Sequence, residues 1–363
     1  MLVLILKYQI FYYGKKNDLL EVYDFNSIFQ TSIKNNTILI YEPNTYHYEC
    51  TPGYCKYFVD MGYHIDILMH ISGIDSLFLF EKKENLRLFT YINNKEVENK
   101  SEELFYIILK YKYILVQTID DKNKNIFKKL KLLEVNNSIF VCHNIKYAIN
   151  DYENFFNERR IWTLANVSKG FQINPHYFGN IKIKNKNKKT RFFLTSTKFR
   201  NYTNLIKSII KLKKENYNFQ INIVGRRNNM NYENIPKFIN KTLSFKYNVS
   251  YVDLYHIIEN SDYIIIPLDP KNNHDNLYRT NISTGSIQLA YGFLKPLIIN
   301  KDFGNYYFLN DNNSLLYNDN IYDAMKIAIK LNENKYKYLQ NNLNITVKKI
   351  EKISINNINK AIN

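Results

Sequence analysis

Cysteine is scarce in this chain: Cys50, Cys55 and Cys142 are the only 3 among 363 residues. Three thiols cannot all pair, and their spacing fits neither a CxxC motif nor a zinc site. Reduced thiols in a cytoplasmic protein are the simplest account. Long apolar runs are also missing. The start, Met1 to Leu6 extended through Ile10 to Tyr13, is interrupted by Lys7 and is too short to span a bilayer. It has neither a basic n-region nor a small-residue cleavage site, so it reads as an edge strand or a misassigned start. A soluble or peripheral protein is expected. No internal repeat is evident, and zinc-finger spacing, an RNP1-like string and a basic region with heptads are all absent.

Acidic residues are the minority charge, 33 Asp+Glu against 50 Lys+Arg, which leaves a formal net charge of +17. Such a balance suits nucleic acid, an anionic membrane surface or a phosphorylated substrate. A solvated surface in a lysine-rich background explains it equally well. With no nucleic-acid motif in view, no nucleic-acid partner is expected. The one dense run, Lys182 to Arg191, sits where an interdomain linker is expected.

Apolar material is plentiful. Hydrophobic residues make up 45% and aromatics 15%, with 32 Tyr and 23 Phe, which excludes disorder and provides for sizeable cores. A chain of 363 residues exceeds one ordinary domain. Strand-like and helix-like segments alternate throughout. In the first half, Thr37 to Tyr41, His64 to Met69, Tyr113 to Thr118 and Ser138 to Cys142 read as strands, with weaker strands at Leu77 to Phe80 and Leu86 to Tyr91. Helices are expected from Thr51 to Met61, with Pro52 where its missing N–H costs nothing, from Ser101, and from Asn123 to Leu133. In the second half, strands at Arg191 to Thr195 and Phe219 to Val224 flank a helix from Asn201 to Lys214. Ser250 to Asp253 resembles a capping box before a helix over Leu254 to Asn260. A strand at Leu315 to Tyr317, a helix from Ile321 to Leu331 and a largely helical tail from Asn334 to Ala361 complete the pattern. This alternation predicts an α/β protein with two parallel-sheet domains.

The stretch from Tyr263 to Asn300 is the most telling. An apolar strand, Tyr263 to Pro267, leads through a long polar loop, Asp269 to Ile282, to Ser283-Thr284-Gly285-Ser286 at the start of a helix. Lys295-Pro296 and a second strand, Leu297 to Asn300, follow. A helix start carries unpaired N–H groups and a positive dipole end, and glycine lets a ligand approach the backbone. A phosphate is the expected guest, and long loops of this kind tend to be functional.

Four segments occur in a recognisable order: Phe193 to Asn201, Ile221 to Gly225, Val252 to Pro267, and Ala290 to Ile298. Together they make roughly residues 190–330 resemble the nucleotide-sugar-binding domain of a GT-B glycosyltransferase, similar to glycosyltransferase family 4. In the first half, Asp60 to Leu68 looks like the opening of an acceptor domain, and Asn174 to Phe178 resembles the hinge between domains. The resemblance implies two Rossmann-like domains facing a central cleft, 1–180 for the acceptor and 181–345 for the nucleotide sugar, with a helical tail at 346–363. Retaining members carry two glutamates eight positions apart before the glycine that Gly292 matches. Those positions here hold Arg279 and Ile287, and no acidic residue lies between Tyr278 and Phe293. The donor must therefore be held differently.

The expected donor and phosphate groups are Lys198 and Arg200 after a strand, Gly225 and Arg226 (with Arg227) after the next, and Asp275, Tyr278, Arg279, Thr280, Ser283, Thr284, Gly285 and Ser286. A guanidinium at a strand-to-helix turn can neutralise a leaving pyrophosphate. A surface charge or an ordinary helix cap are the plainer accounts of the same residues. For proton removal the expected groups are His143, at a strand end of the first domain, and Glu49 and His47 in its first βα loop. Asp120, Asp121 and His274 rank behind them. No cofactor and no metal are expected, because the helix dipole and basic side chains would replace a cation.

These readings converge on a cytoplasmic, metal-independent hexosyltransferase-type enzyme, free or peripheral at the inner face of the membrane. It would move a sugar from a nucleotide-sugar donor to a hydroxyl on a glycan or lipid-linked acceptor, in surface polysaccharide or glycolipid biosynthesis. A catalytically inactive GT-B module and a nucleotide-sugar epimerase of the same fold are the alternatives.

Overall fold

A computed structural model of the chain describes residues 20–145, 155, 159–165, 170–197, 200–225 and 236–362. They divide into two compact units. The residues up to Leu164, from Gly170 to Asn180 and from Ser354 onward form the first, and Ala165 with Ile181–Ile353 forms the second.

The first unit is built on the strands β1 (Glu21–Asp24), β2 (Thr37–Glu42), β3 (His64–His70), β4 (Leu86–Tyr91), β5 (Tyr113–Val116), β6 (Ser138–Cys142), β7 (Ile161–Thr163) and β8 (Phe171–Gln172). They lie in the order β1-β4-β3-β2-β5-β6-β7-β8, and every neighbouring pair is parallel. Every residue of β2 is buried, as expected for a central strand covered on both faces. The chain passes from β2 outward to β3 and β4, then returns to β5 on the other side of β2. That reversal leaves a crevice at the carboxyl ends of β2 and β5, the usual place for a ligand in an open parallel sheet.

The second unit repeats the scheme with β9 (Thr190–Ser196), β10 (Phe219–Gly225), β11 (Leu243–Tyr247), β12 (Tyr263–Ile266), β13 (Leu297–Asn300) and β14 (Leu315–Tyr317). Their order is β11-β10-β9-β12-β13-β14, again all parallel. Here the reversal falls between β9 and β12. The helices Thr203–Lys214 and Ile321–Lys330 cover one face, where Leu205, Ile209, Leu212, Ala324, Met325 and Ala328 meet Phe192, Ile221 and Ile265 in one core.

Several expectations need correction. Leu77 to Phe80 is no strand: a 3₁₀ turn over Ile71–Leu77 runs into it, and of the four apolar residues only Leu77 and Phe80 are buried. The stretch from Asp269 to Ile282 is not all loop but contains a helix, Asn273–Thr280, with Asn272 accepting from the His274 N–H at its start. The capped helix begins at Tyr251, with Ser250 accepting from the Asp253 N–H. The basic run at Lys182 to Arg191 is fastened to the second unit, through Lys184 to Asn260, Lys186 to Ile329, and Asn187 to Asp262. The expected edge strand within Met1 to Tyr13 lies outside the described residues.

Candidate functional site

In the second unit the chain leaves β9 at Ser196 and reaches Arg200, which is 6% exposed. Its Nη2 donates to Thr284 Oγ1 at 2.9 Å, and its Cζ lies 5.7 Å from the centroid of the Tyr278 ring. Nε and Nη1 are buried and find no hydrogen-bond partner among the described residues. A buried guanidinium with two orphaned nitrogens is costly, and an anion would satisfy both. Thr284 precedes the helix Gly285–Gly292 in extended conformation and makes no side-chain cap, since its hydroxyl receives Arg200 instead. By helix geometry the first N–H groups of such a helix have no partner within it. Guanidinium and helix start therefore lie together at the carboxyl ends of β9 and β12.

Around this centre the expected residues separate. Ser283 Oγ is buried without a hydrogen-bond partner. Ser286 Oγ lies 2.6 Å from Thr195 Oγ1, a strut between the helix start and β9. Asp275 is fully buried, with Oδ2 accepting from the Asp269 N–H at 2.9 Å. Burial raises its pKa, opposed by the Asp269 N–H and the Arg200 charge. Tyr278 supplies its ring to Arg200 and its carbonyl to the Tyr307 hydroxyl.

Arg279 does not join the cluster. Its Nη2 is 3.1 Å from Asp302 and its guanidinium lies over the Phe303 ring, a local ion pair on a short neighbouring helix, Lys301–Gly304. Thr280 is exposed at the end of its helix. Gly225 has a packing reason: a Cβ there would meet Ser196 Oγ at 1.9 Å, because the two residues are paired across β10 and β9. Lys198, Arg226 and Arg227 lie outside the described residues. Gln288 was missed by the sequence reading. It is fully buried with both amide atoms unpartnered, one turn beyond Thr284 on the same helix face. A lone carboxamide in the apolar run Ile287 to Tyr291 was the available signal.

In the first unit, His143, His47 and Glu49 come together at the carboxyl edge of β2, β5 and β6. The imidazoles of His47 and His143 are stacked, with centroids 4.0 Å apart at 22°. His47 holds a left-handed backbone, φ 69°, a conformation that costs a side-chain-bearing residue energy and is over-represented at functional sites. The Gln117 side chain fixes it by donating to the His47 carbonyl at 2.8 Å, while Thr51 donates to Gln117 Oε1. His47 Nδ1 faces Glu49 Oε1 at 3.4 Å. Burial lowers the His47 pKa, but the carboxylates of Glu49, Glu42 and Asp120 outweigh it and leave the group raised. For His143, burial and the charge of His47 push the pKa well below that of an ordinary imidazole. Its Nε2 lies 3.2 Å from the Gln117 carbonyl. A carbonyl only accepts, so Nε2 carries the proton and Nδ1 the lone pair.

Glu42 also belongs here. It closes β2, is fully buried, and accepts from Thr118 Oγ1 at 2.7 Å and the Asn44 N–H at 2.8 Å. Burial pushes its carboxyl up to about 8, against those two hydrogen bonds and the nearby His47. Thr118 Oγ1 in turn lies 3.5 Å from His143 Nε2, a loose contact that links the carboxyl to the imidazole. Asp120 is occupied otherwise: it accepts from the Tyr46 hydroxyl and caps the turn Asp121–Asn123. His274, in the second unit, is 4.0 Å from Asp275. Among the described residues no group of His, Cys, Asp and Glu is arranged to hold a metal ion, and no helix is long and apolar enough to cross a membrane.

No protein-family model matches the sequence, and no curated protein matches it. Solved structures do match in fold. A glycosyltransferase from Rickettsia africae ESF-5 superposes with a TM-score of 0.54 at 13% identity, over 91% of this chain and 98% of its own. An alpha-glucosyltransferase in complex with UDP gives 0.61 at 10% identity, over 90% and 99%. An alpha-glucosyltransferase in complex with UDP and a 13-mer DNA containing an HMU base gives 0.55 at 10% identity, over 88% and 99%. The chain has the α/β fold of GT-B glycosyltransferases, with two parallel sheets.

Proposed function

We propose that this protein is a glycosyltransferase that moves a sugar from a nucleoside diphosphate sugar to a hydroxyl acceptor. One observation carries the reading: a buried guanidinium with two unpaired nitrogens, bonded to the residue before an uncapped helix, at the switch point of the second sheet. The shared fold supports it. The diphosphate oxygens accept from Arg200 Nε and Nη1 and from the first N–H groups of the Gly285–Gly292 helix. As the bond from the sugar to the diphosphate breaks, the negative charge that gathers on the leaving oxygen meets these fixed donors. In this reading helix dipole and guanidinium take the part of a divalent cation.

His143 is the group assigned to proton removal. Its lowered pKa keeps it neutral near pH 7, and Gln117 holds the tautomer whose Nδ1 can accept the acceptor's hydroxyl proton. His47, whose pKa is raised against the effect of burial chiefly by its contact with Glu49, lies against it. The acceptor is read as a glycan or lipid-linked sugar of surface polysaccharide or glycolipid biosynthesis, met at the cytoplasmic membrane face. The basic surface suits an anionic membrane.

A thermal-shift panel of UDP, GDP and CDP sugars tests the donor, with UDP first because a similar enzyme holds it. A ligand of the native state raises the melting temperature by mass action. No shift with any nucleotide would overturn the reading, and binding without transfer or hydrolysis would make the chain an inactive module. One second acceptor, a nucleic acid, is compatible with the net charge of +17, and one similar enzyme is complexed with DNA. Transfer to hydroxymethylated DNA with steep salt dependence would select it.

A further inference from the structure

The second sheet carries a gap that the donor reading does not use. Along β10, Phe219, Ile221 and Ile223 are buried in the core beneath the Thr203–Lys214 helix, while the alternating Gln220 and Asn222 are only half buried. A strand inside a parallel sheet is normally apolar and covered on both faces. Here the second face is left polar. The helix Tyr251–Glu259 returns from the edge strand β11 to β12 and buries Tyr255 and Ile258. Its Asp253, His256 and Ile257 border a cavity of about 670 Å³, whose other walls include Arg191, Gln220, Asn222 and Lys246. That volume falls within the range of small-ligand sites. The Nε of Arg191 is buried there without a hydrogen-bond partner among the described residues. Arg191 stands near the amino end of β9, roughly 13 Å along the strand from Thr195 and the donor centre.

We propose that this groove is a second carbohydrate site, which binds a sugar bearing an anionic group, phosphate or carboxylate. Arg191 and Lys246 meet the anion, and the carboxamides of Gln220 and Asn222 meet sugar hydroxyls with a donor and an acceptor each. The lining matches this ligand in charge: the half-buried Arg191 and the exposed Lys246, with His256 beside them, face one carboxylate, Asp253, which accepts from the Ser250 hydroxyl. A neutral sugar would offer Arg191 only hydroxyl oxygens and no counter-charge. A bare anion would leave the carboxamide of Gln220 to water and that of Asn222 with only its long contact to Ser261 Oγ, 3.5 Å.

Calorimetric titration of the full-length protein with glucose 6-phosphate and with glucuronate distinguishes the two sources of the anion, with glucose and inorganic phosphate as controls. Millimolar or tighter binding of at least one acidic sugar is expected, with neither control matching it. Arg191→Gln should weaken that binding about tenfold, the worth of one charge-assisted hydrogen bond. Gln220→Leu should weaken the acidic sugar while leaving inorganic phosphate unchanged. Nucleotide binding should be unaltered in both variants, which shows that the fold and the donor site persist. Failure of both acidic sugars to bind, or equal binding by Arg191→Gln, would overturn the proposal. Inorganic phosphate binding as tightly as the sugar phosphate would make this an anion site and overturn the carbohydrate assignment.

Discussion

The clusters at the two switch points are chemically opposite. In the first unit most of the polar groups satisfy one another: Glu42 with Thr118 and the Asn44 N–H, Gln117 with Thr51 and His47, His47 with Glu49, leaving Asn44 Nδ2 as the buried exception in this set. In the second, among the described residues, Arg200 has a single side-chain hydrogen bond from three nitrogens, and Ser283 and Gln288 have unpartnered buried atoms. A closed network fixes tautomers and pKa values, as proton transfer requires. An open set of donors keeps its hydrogen bonds for a charge that arrives with a ligand, as diphosphate binding requires. The same fold, used twice in one chain, is thus polarised between two tasks.

The most damaging way to break this contrast is to close the open cluster. Gly285→Val places a branched side chain at the helix start and denies a phosphate its approach to the backbone. Nucleotide binding should be lost by calorimetry while the melting temperature stays near that of the parent. Persistent binding of UDP, GDP and CDP species would mean that the phosphate lies elsewhere.

Opening the closed cluster comes next. His143→Ala should lower turnover by roughly 10²-fold, about the worth of a general base, with donor affinity nearly constant. Glu49→Gln tests the brace on His47 and should lower turnover less. Undiminished transfer by a protein with both replacements would remove the pair from the mechanism. Loss of donor binding in either would erase the division of labour between the units.

Arg200→Ala probes the open cluster more gently. Removing the guanidinium should weaken nucleoside diphosphate binding by roughly 1.5–3 kcal/mol, the scale of a charged hydrogen bond. An unchanged dissociation constant in the folded variant would take Arg200 out of the site.

The sequence shows these two clusters unequally. Central strands such as Thr37–Glu42 and Tyr263–Ile266 are legible because burial on both faces forces a continuous apolar, β-branched run. Other elements are less legible: Leu243–Tyr247 alternates apolar and polar residues as a strand with one covered face should, but over five positions only, and Asn273–Thr280 is polar on nearly every side and lacks an apolar helical stripe. The hydroxyl-rich start at Thr284 and Gly285 can be read locally, since a helix start is a local event. Its bond to Arg200 spans 84 residues and depends on β9 and β12 becoming neighbours. Arg279 looked equivalent in sequence and is drawn away by Asp302 and Phe303. Glu42 read as the first loop residue after a strand, because no pattern shows that Thr118 and Asn44 will close over it.

The smallest effect expected is a change in how stability depends on pH. The Glu42 carboxyl has an ordinary value of 4.5 and is pushed up to about 8 in the folded protein, chiefly by burial. The folded state therefore holds a proton between those values that the unfolded chain releases. On this group's account, stability is fully present below 4.5 and declines as pH rises through 8. Glutamine has the same shape and no proton to lose, and its Oε1 can keep the Asn44 N–H while the Thr118 hydroxyl turns to accept from Nε2. Glu42→Gln should thus melt close to the parent near pH 5 and a few degrees above it near pH 8.5, the difference growing across the interval. An equal difference at both pH values would show that Glu42 is ionised in the fold across that interval. The closed network would then carry a buried negative charge beside His47, and the raised pKa assigned to the carboxyl would have to be abandoned.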